Sequence, residues 1–182
     1  MNRYVLLLLL FTTHNPASAT ESWRDYLPVQ ILSIAQDGMK PSYNKGDLIL
    51  IKRNFLYSPE NIARGQIVAF NFSRNNTTYI FTWRTVALGG DKLTIEPSGV
   101  ITINGKKLKN VQDTSSNDPA IFLETNGTYT YQISIHGEPK IQSRIELTVP
   151  SGHLYLLGDN RNNAYDSRFH GPIHIDNVIG AN

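Results

Sequence analysis

Short runs of β-branched, aromatic and aliphatic residues, separated by polar turns, make up the hydrophobic pattern of the chain. Apolar runs of about four to eight residues between turn signals are typical of β-strands. They predict strands at residues 29–34, 47–51, 67–72, 78–81, 100–103, 106–108, 128–135, 145–149 and 154–157. No long window repeats its apolar residues every ~3.6 positions, and only residues 22–26 and 59–63 are predicted as single helical turns. The pattern therefore predicts a mainly β protein built from coiled, packed sheets.

Two turn signals and one polar stretch refine this prediction. Asn75 and Asn76 separate two strand-like runs, and Asn104-Gly105 separates two more, so each pair of runs is predicted to form a β-hairpin. Residues 110–119 are polar and unpatterned, which predicts a loop. We expect this loop to open a small β-rich inserted subdomain at about residues 110–144.

The first residues of the chain are typical of a secretory signal peptide. Arg3 supplies a positive start, residues 5–11 are continuously apolar, and residues 16–19 end in the small-x-small triplet Ala17-Ser18-Ala19. We therefore expect a signal peptide at residues 1–19, a domain at residues 20–182, and a secreted or periplasmic protein. An uncleaved anchor is the alternative, although the apolar run is far shorter than the ~20 residues that span a bilayer. Trp23, just beyond the expected cleavage site, suits a membrane interface and a protein core equally well.

Composition excludes several classes of function. The 182 residues include no cysteine, which removes disulfides, thiolate metal sites and cysteine nucleophiles. The formal charge is only +2 and the basic residues are scattered, so a nucleic-acid partner is not expected. His170 and His174 are four positions apart, but Gly171-Pro172 between them precludes a helical metal pair. We predict no cofactor and no metal.

Residues 158–171 form the most informative polar segment. Asp159, Arg161, Asp166 and Arg168 alternate in sign and are bounded by glycines, so they can form charge-assisted hydrogen bonds with one another and with backbone amides. Burying such a cluster is unfavourable unless every group is paired. A solvated turn is the alternative, but the density of opposite charges favours a rigid, fully bonded scaffold.

This segment resembles the last box of the type I signal peptidases, peptidase family S26, which reads G-D-N-R-x-N-x-x-D-S-R-x-x-G. Further boxes of the same family are matched, in the same order, by residues 39–42 with Gly46-Asp47, 64–70, 84–91, 104–105 and 149–153. The resemblance covers about residues 31–180 apart from the predicted insert. It implies the signal-peptidase (S26/LexA-like) coiled β-sheet fold.

The family's chemistry is a Ser-Lys dyad, in which a desolvated lysine accepts the proton of the serine nucleophile. The resemblance places the serine position at Gly38 and the lysine position at Trp83, and neither side chain can perform that chemistry. A serine that often completes the oxyanion hole becomes Gln36, and a serine near the lysine becomes Ala164. The resemblance implies a substrate-binding set of Gln36, Asp37, Gly38, Met39, Pro41 and Trp83. It implies a structural scaffold of Asp159, Asn160, Arg161, Asp166, Ser167 and Arg168.

Three functions remain open from the sequence. The leading one is a catalytically inactive signal-peptidase-like protein that binds an extended, signal-peptide-like segment of an exported protein, in assembly or chaperoning, with the membrane surface as a further partner. The second is an active endopeptidase whose nucleophile has moved to Ser33 or Ser42. The third is a structural subunit of an envelope complex, in which Trp83 fills the cleft.

Overall fold

The computed structural model describes residues 27–53, 61–138 and 140–182, and these residues are mainly β, as predicted. The strands are β1 Val29–Ser33, β2 Leu48–Arg53, β3 Ile67–Arg74, β4 Thr77–Leu88, β5 Lys92–Ile95, β6 Ile101–Ile103, β7 Lys106–Lys107, β8 Lys109–Gln112, β9 Ile121–Asn126, β10 Tyr129–Ser134, β11 Ile145–Thr148, β12 His153–Leu157, β13 Ile173–His174 and β14 Val178–Ala181. The complete helical elements of the described residues are α1 (Ser167–His170) and the 3₁₀ turns Asp37–Met39 and Ile175–Asn177, and Asn61 also has 3₁₀ geometry.

The largest sheet has seven strands in the order β1-β2-β14-β3-β4-β12-β13, with antiparallel neighbours. Its inner face buries Ile49 and Ile51 from β2 and Val68 and Phe70 from β3. Each of these pairs is two residues apart, as expected for side chains on one face of a strand. The resulting core lies directly beneath the candidate site, because Met39 and Trp83 belong to the same buried cluster.

The two predicted hairpins are confirmed. Asn75 and Asn76 have φ angles of 50° and 60° and connect β3 to β4. Asn104 and Gly105, with φ angles of 51° and 77°, connect β6 to β7. Two consecutive positive φ angles define the turn whose twist matches that of the flanking strands, and asparagine and glycine tolerate them best.

Two smaller sheets complete the described fold. One has the order β11-β5-β6-β7 and surrounds a second apolar cluster that includes Leu93, Ile95 and Ile101. The other has the order β10-β9-β8 and occupies most of the predicted insert. The insert boundaries at about residues 110 and 144 stay a prediction.

The strand predictions need correction at several places. Residues 109–112 form a strand, although a loop was predicted from residue 110, and β5, β9, β13 and β14 were not predicted. The four residues of β8 are all exposed at the edge of their sheet, so they lack the alternating apolar pattern of a half-buried strand. Backbone pairing with β9 defines this strand instead.

Some predictions fall outside the described residues. These are the signal segment at residues 1–19, the environment of Trp23, the helical turn at residues 22–26 and the first two residues of the turn at 59–63. Within the described ranges, no helix is long and apolar enough to cross a membrane.

Candidate functional site

A groove of about 220 Å³ lies between the end of β1 and the middle of β4. Its lining is uncharged and comprises Leu32, Ser33, Ile34, Ala35, Gln36, Met39, Ile80, Phe81, Thr82 and Trp83. Of the predicted substrate-binding residues, the groove brings together Gln36, Met39 and Trp83. The other lining residues were not predicted from the sequence, because the sheet brings together two segments that are about 45 residues apart in the chain.

Both walls of the groove present strand edges. β1 is the outermost strand of its sheet, and β4 pairs with β12 only from Arg84 onward. The hydrogen bonds of Ile34 with Asp47 and Gly46 point towards β2, so alternation directs the backbone groups of Ser33 and Ala35 outward. By the same alternation, the backbone groups of β4 residues 80 and 82 point away from β3. The described residues therefore leave two unpaired edges facing one groove.

Gly38 and Trp83 meet beside this groove. A Cβ atom added to Gly38 would lie 2.5 Å from Cζ3 of the Trp83 indole, which is closer than real Cβ contacts allow. Gly158 is equally restricted, since its added Cβ would lie 2.9 Å from the same indole atom and 2.5 Å from the carbonyl oxygen of Gly38. The indole therefore occupies the space into which a side chain at residue 38 would point.

The indole is enclosed. Trp83 is 1% exposed, its ring stacks on Phe81 with the two centroids 5.9 Å apart, and Ala164 is buried close to Gly38 and Gly158. Its Nε1–H has no hydrogen-bond acceptor among the described residues. An enclosed indole contributes packing but no basic lone pair.

The remaining predicted substrate-binding residues do not belong to the groove lining. Asp37 forms an ion pair of 3.2 Å with Lys40 on the protein surface, and neither Asp37 nor Pro41 lines the groove. The Gly38 carbonyl accepts a hydrogen bond from the backbone N–H of Asn160, and the Asn160 side chain donates to the carbonyl of Asp37. Asn160 therefore braces the 3₁₀ turn that carries Gly38.

The predicted scaffold residues form buried ion pairs. Arg84 donates to both carboxylate oxygens of Asp159, at 2.7 and 2.6 Å, and Arg168 does the same to Asp166 at 2.8 and 2.7 Å. The Asp166 carboxylate also accepts from the N–H of Gly158, and the Ser167 hydroxyl accepts from the N–H of Leu156. The segment is a bonded scaffold, although its residues 167–170 form the short helix α1 and not only a loop.

Arg161 has a partner that sequence reasoning missed. It donates from both terminal nitrogens to Glu124 of β9, a carboxylate that is 0% exposed, and Glu124 also accepts from the Tyr131 hydroxyl at 2.8 Å. Burial raises the pKa of the Glu124 carboxyl, but the Arg161 guanidinium and the Tyr131 hydroxyl outweigh burial and hold that pKa below its usual range. A contact across 37 residues leaves no local signal in the sequence.

The two serines considered as relocated nucleophiles differ in position. The Ser42 hydroxyl donates to Asp159 and accepts from Arg84 at 3.3 Å, so it belongs to the scaffold. Ser33 lines the groove, but no Lys, Arg or His forms a hydrogen bond to its hydroxyl within the described part of the chain. In the same residues, no group of three or more histidine and acidic side chains is placed to hold a metal ion.

Comparison with known proteins assigns this chain to a family. The chain matches the family model "Signal peptidase, peptidase S26" over residues 25–182. It is 27% identical over 159 residues to signal peptidase I of Pseudomonas aeruginosa, covering 78% of this chain and 55% of that protein. It is 28% identical over 185 residues to signal peptidase I of Pseudomonas fluorescens, covering 84% and 62%. The chain belongs to the peptidase S26 signal peptidase family.

The extent of these matches is uneven. The chain spans about 55–62% of the length of the two Pseudomonas relatives. A solved signal peptidase I from Enterococcus faecalis V583 is 25% identical, with 67% of this chain and 97% of that chain covered and a TM-score of 0.42. That Gly38 and Trp83 stand at the two dyad positions stays a prediction.

Replacing Gly38 with alanine should destabilise the protein, because the new Cβ overlaps the Trp83 indole. We expect a loss of about 1–3 kcal/mol in the free energy of unfolding, measured by chemical denaturation. Trp83→Phe removes the ring atoms that clash, so Gly38→Ala should cost less in that background. Strictly additive effects in this double-mutant cycle would contradict the contact.

Acid should destabilise the protein through Glu124 and Asp91. Burial raises the pKa of Asp91, but the hydrogen bonds from Arg64, the Leu88 N–H and Asn104, together with the charge of Arg64, outweigh burial. The pKa of each of these two carboxyls is therefore below its usual range in the folded state. Their contribution to the free energy of unfolding is fully present above the pKa values of the unfolded state, about 3.9 for Asp and 4.3 for Glu. It is lost as pH falls from there through the lower pKa values of the folded state. Denaturation midpoints should be flat from pH 7 to about pH 5 and fall towards pH 3. A midpoint that stays constant down to pH 3 would contradict the assignment.

Proposed function

We propose that this S26-family protein is a non-catalytic binding protein, which holds an extended segment of an exported protein in the groove between β1 and β4. The observation that carries the proposal combines two features of the described residues. Two strand edges without partners among them face one groove, and an enclosed Trp83 lies beside Gly38. The first feature suits binding of an extended chain, and the second leaves no nucleophile and base at that place. Such a protein would serve assembly or chaperoning of its partner.

Binding would proceed by addition of a strand. An extended peptide in the groove can exchange backbone hydrogen bonds with the outward-facing groups of residues 33 and 35 on one side and 80 and 82 on the other. Side chains of the peptide would contact a lining that carries no charge. The preferred ligand is therefore an uncharged, extended segment, such as the small-x-small region of a signal peptide.

The chemistry at Gly38 and Trp83 supports a non-catalytic role. Glycine offers no hydroxyl, and an indole has no basic lone pair with which to take a proton. Relocation to Ser42 is disfavoured, because its hydroxyl is engaged by Asp159 and Arg84. Ser33 is exposed to the groove but has no basic partner in the described residues, and nucleophile and base must meet within hydrogen-bond distance.

The structural-subunit alternative rests on the same tryptophan. Trp83 does fill the position next to Gly38, as that alternative requires. The groove beside it nevertheless remains open, with a volume of about 220 Å³, which favours binding over a purely structural role. The signal-like features of residues 1–19 support a periplasmic or secreted location for both roles.

An exposed apolar face supports the membrane surface as a second partner. Ile31, Leu48 and Leu50 are 64%, 67% and 51% exposed. Ile31 pairs with Leu50 and Ser33 with Leu48, so the three apolar side chains share one face of β1 and β2. A continuous exposed apolar patch of this kind is typical of contact with a membrane or another protein.

A synthetic peptide of residues 12–20, which carries the Ala17-Ser18-Ala19 triplet, should bind the protein without being cleaved. Calorimetry measures the affinity, and mass spectrometry of the mixture detects cleavage. Ile80→Glu should weaken binding more than about tenfold, because a carboxylate would be buried without a partner in an uncharged groove.

Val111→Glu is the matched control, since Val111 is 46% exposed, Ile80 is 45% exposed, and Val111 lies away from the groove. Its affinity should equal that of the unmodified protein. The binding proposal would be wrong if the protein bound neither the synthetic peptide nor an extended polyalanine decapeptide. Cleavage of either peptide would establish the relocated peptidase.

The double change Gly38→Ser with Trp83→Lys should restore at most weak peptidase activity, because Gln36 and Ala164 also differ from the family pattern.

Residues 20–182 should sediment with phospholipid vesicles through the face formed by Ile31, Leu48 and Leu50. The double change Ile31→Asn with Leu50→Asn should weaken the association about tenfold or more, because each removed side chain contributes about 1–2 kcal/mol of apolar burial. Val111→Asn, an exposed apolar residue elsewhere, serves as control. Equal sedimentation of both variants would rule out this face.

A further inference from the structure

The buried carboxylate of Glu124 takes no direct part in the proposed binding, and it lies in the β8–β10 sheet, not in a wall of the groove. Its exposed fraction is 0%, and its oxygens accept three hydrogen bonds, two from Arg161 and one from Tyr131. A buried carboxylate costs several kcal/mol of desolvation unless it is paired and hydrogen-bonded in this way. The pair therefore forms a rigid junction between β9 and the segment that follows β12.

Arg161 extends this junction towards the groove. Its Nε donates to the carbonyl of Gly158 at 3.2 Å, and Gly158 packs against the Trp83 indole. The preceding residue, Asn160, holds the 3₁₀ turn at Gly38 through the carbonyls of Asp37 and Gly38, at 3.1 and 3.0 Å. Glu124 is therefore linked to Trp83 through Arg161 and Gly158, and to Gly38 through Arg161 and its neighbour Asn160.

The backbone of β10 joins the same segment. Ser134 donates its N–H to the carbonyl of Asp159 and accepts from the N–H of Arg161, each at 2.9 Å. Tyr131 lies beneath the Arg84 guanidinium, 3.9 Å from ring centroid to Cζ, and Arg84 in turn holds Asp159. The three-stranded sheet therefore contacts the residues on either side of Asn160 through side chains and backbone.

We propose that Glu124 is a positioning residue, which acts through Arg161 and the residues next to it to fix the groove wall formed by Gly38 and Trp83. The β8–β10 sheet thereby sets the shape of a groove that it does not line. The consequence for peptide affinity rests on the proposed function, whereas the consequence for the packing of Trp83 does not.

The packing of Trp83 is tested without any ligand. The chain has two tryptophans, so Trp23→Phe leaves Trp83 as the single emitter. In this background, Glu124→Ala should raise the acrylamide quenching constant of Trp83 about twofold, because a loosened wall opens locally to the quencher. Glu124→Gln retains an acceptor for Arg161 and should give an intermediate value. Tyr131→Phe, which removes one hydrogen bond to Glu124, is a milder variant should Glu124→Ala fail to fold.

Asp91→Asn is the matched control for lost stability. Asp91 is 5% exposed and accepts from Arg64 and Asn104, but it lies at the turn before β5, remote from the groove lining. All variants are compared at the same interval below their own unfolding midpoints. Quenching in Asp91→Asn should equal that of the parent, and equal quenching in the Glu124 variants would overturn the proposal.

Affinity for the peptide of residues 12–20 provides the second measurement. Glu124→Ala should weaken binding about 2- to 30-fold, the range found for substitutions that act through intervening residues. The affinity of Glu124→Gln should lie between those of Glu124→Ala and the parent, and Asp91→Asn should bind the peptide as tightly as the parent does. If the parent binds no peptide, the proposed function fails while the quenching comparison still decides the role of Glu124. If the parent binds and the Glu124 variants bind equally well, the positioning role is wrong and the proposed function stands.

Discussion

The buried ion pair between Arg84 and Asp159 is the constraint on which the rest of the structure depends. Arg84 lies in β4, Asp159 follows β12, and both are nearly inaccessible to solvent. Two charges removed from water are tolerated only when their remaining donors and acceptors are also paired. Gly65 supplies a carbonyl to Arg84 and Ser42 supplies a hydroxyl, so the pair fixes the segment before β3 and the segment after Gly38 as well.

This constraint separates the shape of the groove from the chemistry beside it. The charged residues form a bonded frame behind Gly38 and Trp83, and none of them depends on a hydroxyl at residue 38 or an amine at residue 83. Catalytic groups are commonly held at a cost in stability. On the proposed equivalence of Gly38 and Trp83 with the dyad, exchanging a polar pair for a packed indole would favour the folded state. A family member can in this way retain its groove after its chemistry has changed.

The features that follow from local rules were predictable from the sequence. Asn75-Asn76 and Asn104-Gly105 each define a two-residue turn, and such a turn also fixes the register of its hairpin. The polar segment at residues 158–171 was likewise recognised as a scaffold, because opposite charges at such density require partners. Family resemblance added the order of the boxes, which the match over residues 25–182 supports.

Features that depend on the coiling of the sheet were not predictable. The wall at residues 80–82 lies opposite β1 only because β2, β14 and β3 intervene and the sheet curves. Glu124 meets Arg161 across a separate sheet, and no local pattern distinguishes it from a surface glutamate. The exposed strand β8 was predicted as a loop for a related reason, since edge pairing imposes no burial pattern on the side chains.

The contact between Gly38 and Trp83 also constrains how the site reached its present form. With the indole in place, any side chain at residue 38 overlaps Cζ3 or its neighbouring ring atom. A glycine at residue 38 imposes no such limit on a smaller, unbranched side chain at residue 83. On the proposed equivalence with the dyad, a serine and this indole are mutually exclusive, whereas a glycine and a lysine are compatible. On that equivalence, the hydroxyl must be lost before the indole is acquired or together with it, and a serine alone cannot be accommodated at residue 38 without displacing the ring.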